Sequence, residues 1–170
     1  MLTISTHARD SAARANPFGP LLRAVAVAPV LEFLGVRVRC LVSAEDTDGA
    51  WSLLEYTAPA HFAGPPAHYH GRTTELFYVL DGALTLEHDA ASEVLLPGGV
   101  AVVPPCAVHR FGNPAPRPCR FLIQLSPSGM EGYFGELARL VRGVPGEPLP
   151  EPHALDTLAR RFDTFSPPVF

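Results

Sequence analysis

The sequence predicts an all-β domain, an antiparallel sandwich or barrel, with C-terminal helices packed on its outside. From about residue 25 to about residue 125, short apolar segments alternate with turns rich in Gly, Pro, Asp and Asn. Strands of this length and spacing are typical of antiparallel sheets. After Pro127 the apolar residues recur at helical spacing instead.

The individual strands are delimited by turn residues. "VRVRCLVS" and "WSLLEYTA" enclose an Asp-Gly turn, "SEVLL" and "VAVVP" flank Pro-Gly-Gly, and "VHRF" and "CRFLIQL" are joined by "GNPAPRP". "ELFYVL" and "ALTLEH" are joined by Asp81 and Gly82, a dipeptide that predicts a two-residue hairpin. Most prolines fall in these turns, where a missing N–H breaks no ladder hydrogen bond.

Three parts of a single domain are predicted along the chain. Residues 1–20 show no periodicity and are predicted to form a flexible N-terminal arm. Residues 21–127 are predicted to form the β-barrel, and residues 128–170 a helical extension of the same domain. Within the extension, "SGMEGYFGELARLV" and "HALDTLARRFDTF" each place apolar residues on one helix face.

Charge and composition exclude several classes of partner. The net charge is −4 and Lys and Arg form no cluster, so nucleic acid is not expected as a partner. The most apolar window, "LLRAVAVAPVLEFLGVRV", is interrupted by Arg23, Pro29 and Glu32, so no membrane partner is expected. Three cysteines do not form a disulfide framework, and reduced thiols fit a cytoplasmic protein.

Two histidines and a glutamate lie close together in "PPAHYHGRTTELFYVLDG". Residues i and i+2 of a strand face one side, so His68 and His70 are expected to point together, about 6.5 Å apart at the backbone. Glu75 begins the next strand after the polar turn "GRTT", and the inward set of that strand would be Glu75, Phe77 and Val79. The turn therefore returns a carboxylate toward both imidazoles.

His109 is the fourth candidate ligand, because it begins the strand "VHRF" after a turn. If that strand lies beside the first hairpin, three imidazoles and one carboxylate meet in an apolar interior. Burying four such groups without a common partner would be costly. The set suits one divalent transition metal, Fe, Mn, Ni, Cu or Zn, better than Mg or Ca, which prefer oxygen ligands.

The segment "GPPAHYHGRTTELFYVLDG" resembles the first motif of the cupin superfamily. That motif reads His-x-His, four residues, Glu, six residues, Gly, and its positions correspond here to His68, His70, Glu75 and Gly82. The resemblance implies a jelly-roll barrel that holds its metal inside.

The segment "GGVAVVPPCAVHRFGN" resembles the second cupin motif. Its glycine, proline, histidine and asparagine positions correspond to Gly98, Pro104, His109 and Asn113, whereas its third glycine is Cys106 here. The flanking segments resemble single-domain bacterial cupins of the quercetin dioxygenase-like group over roughly residues 35 to 140.

The resemblance and the donor set together favour a metal-dependent dioxygenase. This oxidoreductase would act on a small, largely apolar substrate of aromatic or enol type. Glu75 would then be both a metal ligand and the catalytic base, provided that its pKa is raised. Two alternatives remain open, because cupins differ widely in activity: a metal-dependent isomerase, cyclase or decarboxylase, and a small-molecule-binding protein without turnover.

A substrate pocket is expected beside the metal, since a barrel interior holds both core and cavity. Cys106 is interpreted as a small turn residue rather than a redox-active thiol, although a non-glycine residue would hold a positive φ there only under strain. The candidate pocket residues are Phe77, Val79, Phe111, Phe121, Ile123 and Cys106.

A homodimer is expected from the N-terminal segment "AVAVAPVLEFLGVRV". This segment is more apolar than a free arm needs to be. It is expected to add to a sheet edge or to cover a partner subunit, because bare sheet edges promote unwanted pairing.

Overall fold

The structure, a computed structural model, describes residues 21, 28, 30–89, 91–142 and 150–168. The predicted arm, residues 1–20, lies outside this part of the chain, as do most of the residues between the arm and the first strand. The elements in chain order are β1 Val30–Phe33, β2 Val36–Val42, β3 Ser52–Ala58, β4 Tyr69–His70, β5 Thr74–Asp81, β6 Leu84–His88, β7 Ala91–Leu95, β8 Val100–Val103, β9 His109–Gly112, β10 Cys119–Ser126, α1 Met130–Arg142, α2 Pro152–Arg161 and β11 Thr164–Phe165.

The described strands form an antiparallel jelly roll. A six-stranded sheet has the order β1-β2-β3-β10-β5-β8, a three-stranded sheet the order β7-β6-β9, and β4 pairs with β11. The chain crosses from the large sheet to the small one between β5 and β6 and returns between β7 and β8. It crosses to the small sheet again between β8 and β9 and returns between β9 and β10. The predicted fold class, an antiparallel jelly roll with C-terminal helices, is therefore confirmed.

The predicted hairpin at Asp81 and Gly82 is wrong. β5 pairs with β10 and β8, whereas β6 pairs with β7 and β9. Gly82 has a φ of +79°, and a Cβ built on it would lie 2.6 Å from the carbonyl oxygen of Pro118 and 2.9 Å from Cys119 Cα. The glycine is required because the chain passes close to the start of β10 as it crosses between the sheets.

The core fills the space between the two sheets with side chains from alternate strand positions. In β5, Glu75, Phe77 and Val79 are buried, as their spacing predicts, whereas Tyr78 between them is exposed. Aromatic rings dominate the interior: Phe121 lies 5.0 Å from Tyr56 and 5.7 Å from Phe111, between ring centroids. The strands are thus held by burial of one face of each sheet.

The two helices follow the last long strand and close one part of the sandwich. α1 packs against β1 and β3, where the ring of Phe134 lies 6.3 Å from Phe33 and 6.1 Å from Tyr56. α2 then leads into β11, which returns the chain to β4. Among the described helices, none is both long enough and apolar enough to cross a membrane.

Candidate metal centre

The structure brings the four predicted ligand residues together at one end of the sandwich. His68, His70, Glu75 and His109 each offer one ligand atom, and these atoms lie within 4.8 Å of one another. His70 lies in β4, Glu75 near the start of β5 in the large sheet, and His109 at the start of β9 in the small sheet. The cluster therefore joins segments from all three sheets.

Backbone pairing explains why these segments meet. His68 and His109 exchange two backbone hydrogen bonds, each 2.9 Å long, which place the two residues directly opposite each other. The backbone carbonyl of His70 accepts a hydrogen bond of 2.7 Å from the N–H of Cys106. Glu75 is fixed between Val103 and Leu125 in the large sheet.

The three imidazole rings are oriented in the same manner. Each Nδ1 lies within hydrogen-bonding distance of a backbone carbonyl: His68 to Pro66 at 2.9 Å, His70 to Asp163 at 3.0 Å, and His109 to Ala107 at 3.0 Å. A carbonyl oxygen only accepts, so each Nδ1 donates its hydrogen. This tautomer leaves Nε2 of each ring to act as a ligand, the arrangement that metal-binding histidines adopt.

The inner atoms of the cluster suit a shared cation. His109 Nε2 lies 2.8 Å from Glu75 Oε2, within hydrogen-bonding distance. His70 Nε2 lies 3.4 Å from the same oxygen, is buried, and makes no hydrogen bond within the described part of the chain. A buried polar atom without a partner is costly, and a cation bound between these atoms would satisfy it. The residues present therefore fit a metal.

The charges of the cluster are set by mutual contact. Burial raises the pKa of Glu75, but the adjacent His109 and His70 outweigh it and lower the pKa to about 2. Burial lowers the pKa of His70, but Glu75 beside it leaves that pKa above the ordinary value. Burial, with a further contribution from His109, lowers the pKa of His68 to about 4. Glu75 is therefore an ionised carboxylate, the form in which it binds cations.

The donor set limits the class of metal. Three imidazole nitrogens and one carboxylate oxygen suit divalent transition metals and not the all-oxygen sites of Mg²⁺ or Ca²⁺. Opposite ligands about 2.1 Å from a common ion would lie about 4.2 Å apart, so the observed spread of 4.8 Å needs only a small contraction.

Comparison with known proteins agrees with this fold and cluster. Residues 55–124 match the family model described as a cupin domain. The match and the fold support the cupin superfamily. No functionally curated protein matches the sequence.

Three solved structures are similar to the chain. KdgF from Halomonas sp. is 16% identical, covering 67% of this chain and 99% of its own, with a TM-score of 0.58. The polyketide cyclase RemF from Streptomyces resistomycificus is 20% identical over 65% and 81%, with a TM-score of 0.56. A sugar phosphate isomerase of a cupin superfamily from Silicibacter pomeroyi is 21% identical over 63% and 75%, with a TM-score of 0.53. At these identities the likeness concerns the fold alone.

Five predicted pocket residues lie in the core of the jelly roll. Their exposed fractions are 6% or less, and Phe77 and Phe111 pack against each other with ring centroids 5.5 Å apart. These side chains belong to the apolar interior between the two sheets. The five residues are Phe77, Val79, Phe111, Phe121 and Ile123.

Cys106, the sixth predicted pocket residue, is exposed and lies in a turn before β9. Its φ is +67°, so the chain keeps the left-handed backbone at the glycine position of the cupin motif. Its Sγ lies 3.7 Å from the carbonyl of Gly71, and its N–H holds the backbone of His70. The residue thus contacts the site through its backbone rather than through a buried thiol.

Asn113, the last residue of the second cupin motif, is fully buried but lies outside the cluster. Its side-chain amide donates to the carbonyls of Pro59 and Arg117, and its carbonyl oxygen accepts from Ala115 N–H. It holds loop backbone together and contributes no ligand atom to the cluster.

Asp163, which follows α2, is a residue of the site that the sequence pattern did not indicate. Its backbone carbonyl accepts a hydrogen bond from the His70 ring, and its carboxylate accepts hydrogen bonds from the turn between β4 and β5. Burial raises the pKa of Asp163, but hydrogen bonds from Arg72 and Thr73 lower it below the ordinary value. No motif or periodicity in "RRFDTF" distinguishes this aspartate from a surface residue.

Proposed function

We propose that this protein is a metal-binding cupin with dioxygenase-like activity toward a small, largely apolar substrate of aromatic or enol type. The observation that carries the proposal is the cluster of three imidazoles and one carboxylate, whose ligand atoms lie within 4.8 Å of one another. A cupin of the quercetin dioxygenase-like group would use such a site. The expected cofactor is one divalent ion of Fe, Mn, Ni, Cu or Zn.

The side chains of the site have separate tasks in this proposal. His68, His70 and His109 would hold the ion with neutral nitrogens, because their Nδ1 hydrogens are engaged by backbone carbonyls. Glu75 would supply the negative charge that balances part of the charge of the ion. When bound, a redox-active ion of this group supplies Lewis-acid polarisation of a substrate oxygen and the electron transfer that O₂ chemistry needs.

The role of Glu75 as general base requires a raised pKa, and its pKa among the protein groups alone is about 2. A carboxylate with so low a pKa accepts a proton from an enol only weakly. We therefore assign to Glu75 first the tasks of holding the ion and orienting the substrate. Proton transfer by Glu75 would require that a bound ion and substrate change its surroundings so that its pKa rises.

Substrate would approach from the side of His68. His68 is half-buried, whereas His70, Glu75 and His109 are almost fully buried, and Pro66 and Ala67 beside it are exposed. The segment before His68 carries no charged side chain from Phe62 to Ala67, which suits an apolar substrate.

A second candidate function is metal-dependent isomerisation, cyclisation or decarboxylation without O₂. The observation that favours it is the donor cluster itself, which could hold a Lewis-acidic ion that polarises a substrate oxygen without O₂. The polyketide cyclase and the sugar phosphate isomerase named above share the fold. A third candidate is a binding protein without turnover.

The test begins with metal analysis of protein purified without a chelating tag. The protein is then loaded in turn with Fe, Mn, Ni and Cu, and O₂ uptake is measured with flavonols, diketones and catechols, with binding of each followed separately. We expect uptake with one redox-active metal. If no loaded form consumes O₂ with any compound that it demonstrably binds, the dioxygenase proposal fails, and product analysis for isomers or CO₂ then separates the other two candidates.

A further inference from the structure

The end of the described chain returns to the metal cluster. After α2, the strand β11 pairs with β4, with Thr164 opposite His70 and Phe165 opposite Tyr69. The rings of Tyr69 and Phe165 stack with centroids 5.4 Å apart. The segment after α2 therefore lies against the strand that carries one of the ligands. Within this segment, Asp163 lies 93 positions after His70 in the sequence.

The carboxylate of Asp163 binds the turn that separates His70 from Glu75. Asp163 Oδ1 accepts the N–H of Gly71 at 3.1 Å, and Oδ2 accepts the N–H groups of Arg72 and Thr73, each at 3.0 Å. Oδ2 also accepts the hydroxyl of Thr73 at 2.8 Å, and Thr73 is itself buried. Four charge-assisted hydrogen bonds thus hold one short turn, and such bonds are stronger than neutral ones.

The backbone of the same aspartate fixes the His70 ring. The carbonyl of Asp163 accepts His70 Nδ1–H at 3.0 Å, and Thr164 Oγ1 lies 3.3 Å from the same nitrogen. The Thr164 hydroxyl lies 3.2 Å from the carbonyl of Phe162, so it can donate there while it accepts from the ring. Asp163 has a φ of +58°, a conformation that Asp tolerates and that directs its carboxylate and its carbonyl toward the same strand.

We propose that Asp163 is a positioning residue for the metal site: its carboxylate sets the turn between two ligands while its carbonyl sets the tautomer of His70. The inference rests on the metal site of the proposed function and goes beyond it. It makes the affinity of the site for metal depend on the segment that follows α2. Loss of an outer hydrogen-bonding partner typically weakens metal binding about 10- to 100-fold.

A merely structural role would give a different result. If the carboxylate only anchored the C-terminal segment, its removal would lower the free energy of unfolding but leave the metal affinity of the folded protein unchanged. Stability and affinity must therefore be measured on the same variants, with the folded fraction known from a urea titration.

The experiment compares Asp163→Asn and Asp163→Gly with the wild type. Asn keeps the shape and tolerates a positive φ, but replaces one carboxylate oxygen by an amide nitrogen, which donates and cannot accept, whereas Gly keeps the backbone carbonyl and removes the whole side chain. Asp156→Asn is the matched control, because it makes the same charge change on α2 at an exposed ion pair with Arg160. Co²⁺ is the probe, since its absorption reports both affinity and ligand geometry.

We expect both Asp163 variants to bind Co²⁺ about 10- to 100-fold more weakly with an altered absorption spectrum, and the control to bind as the wild type does. Unchanged affinity and spectrum in both folded Asp163 variants would overturn the proposal. If either variant folds poorly, Thr73→Val replaces it, because this change removes only the hydroxyl contact. We expect Thr73→Val to lose less Co²⁺ affinity than the Asp163 variants, and an unchanged affinity in Thr73→Val would count equally against the proposal.

A second readout needs no metal. Imidazole ¹⁵N shifts of the metal-free wild type should show His70 with its hydrogen on Nδ1, and Asp163→Gly, which keeps the backbone carbonyl, should retain this tautomer. If the wild type binds no Co²⁺ at all, the proposed metal function fails, but these shifts still decide the positioning role. A wild-type His70 ring that carries its hydrogen on Nε2 instead would contradict it.

Discussion

His109 Nε2 lies 2.8 Å from Glu75 Oε2, and this contact joins the small sheet to the large one inside the jelly roll. Neither residue is more than 4% exposed. A neutral imidazole and a carboxylic acid buried alone would make only one modest hydrogen bond. Here the imidazoles of His68 and His70 also offer ligand atoms within 4.8 Å of this pair, so that the four groups together can hold an ion. The pair is the centre from which the metal proposal is built.

Removal of one buried ligand imidazole should strongly weaken metal binding at the site. We expect His70→Ala to weaken binding of a transition metal by more than about 100-fold, beyond the loss caused by an outer partner alone. Isothermal titration calorimetry with Zn²⁺ measures this. His153→Ala is the control, because His153 is exposed in α2 and outside the cluster. Equal affinity in the His70 and His153 variants would contradict the assignment.

Glu75→Gln separates binding from turnover. The amide keeps the size of the side chain but loses the negative charge, so we expect weaker metal binding that high metal concentration restores. With the site loaded, turnover should fall about 10²-fold or more if the carboxylate takes part in proton transfer or in orienting substrate. Metal content and O₂ uptake are measured on the same sample.

A binding protein without turnover predicts another outcome for the same variant. Ligand affinity would persist in Glu75→Gln, and the wild type would show no turnover to lose. Titration of a bound flavonol or diketone, followed by fluorescence, distinguishes these cases.

Cys106 should tolerate replacement by the residue that the cupin motif has at its position. Its φ of +67° costs an L-residue roughly 1–2 kcal/mol, part of which the larger unfolded-state entropy of glycine offsets. We expect Cys106→Gly to raise the free energy of unfolding by about 0.5–1 kcal/mol and to leave metal affinity unchanged. Cys106→Ala keeps a Cβ and should give no such gain in urea denaturation. Loss of activity in both variants would favour the redox-active thiol instead.

A homodimer is the expected assembly, and the structure suggests where the copies meet. β7 and β8, connected by a short turn, are the last strands of their sheets among the described residues, and they expose Val94, Val100 and Val102 at 52–59%. The neighbouring Tyr78 is also exposed, and no charged side chain lies on β8. A largely apolar sheet edge, on which β7 adds the exposed Glu93, favours a second copy of the same edge.

Sedimentation velocity at micromolar concentration tests this assembly. We expect a dimer that Val102→Lys converts to a monomer. Leu140→Lys, on the helix that packs against β1 and β3 at the other side of the large sheet, should remain dimeric. A monomeric wild type contradicts the expectation. The segment on which the expectation first rested, residues 24–38, contains β1 and the start of β2, which pair with each other, whereas most of its residues before β1 lie outside the described part of the chain.

The sequence by itself determined the strands, their inward faces and the cluster of four candidate ligands. Alternation along β5 indicates that Glu75, Phe77 and Val79 share one face, because successive side chains of a strand point in opposite directions. The spacing of His68 and His70 indicates a common direction for the same reason. These are local properties, so they can be read from neighbouring residues.

Only the tertiary structure decided which strands pair and what holds the ligands. Alternation indicates which face of β5 is buried but not which strand lies beside it, so the sequence predicts a hairpin at Gly82 where the chain in fact changes sheets. The contact between His70 and Asp163 spans 93 positions and leaves no periodic signal. Its partners on the turn are mainly backbone N–H groups, which every residue but proline carries, and so only the folded chain selects them.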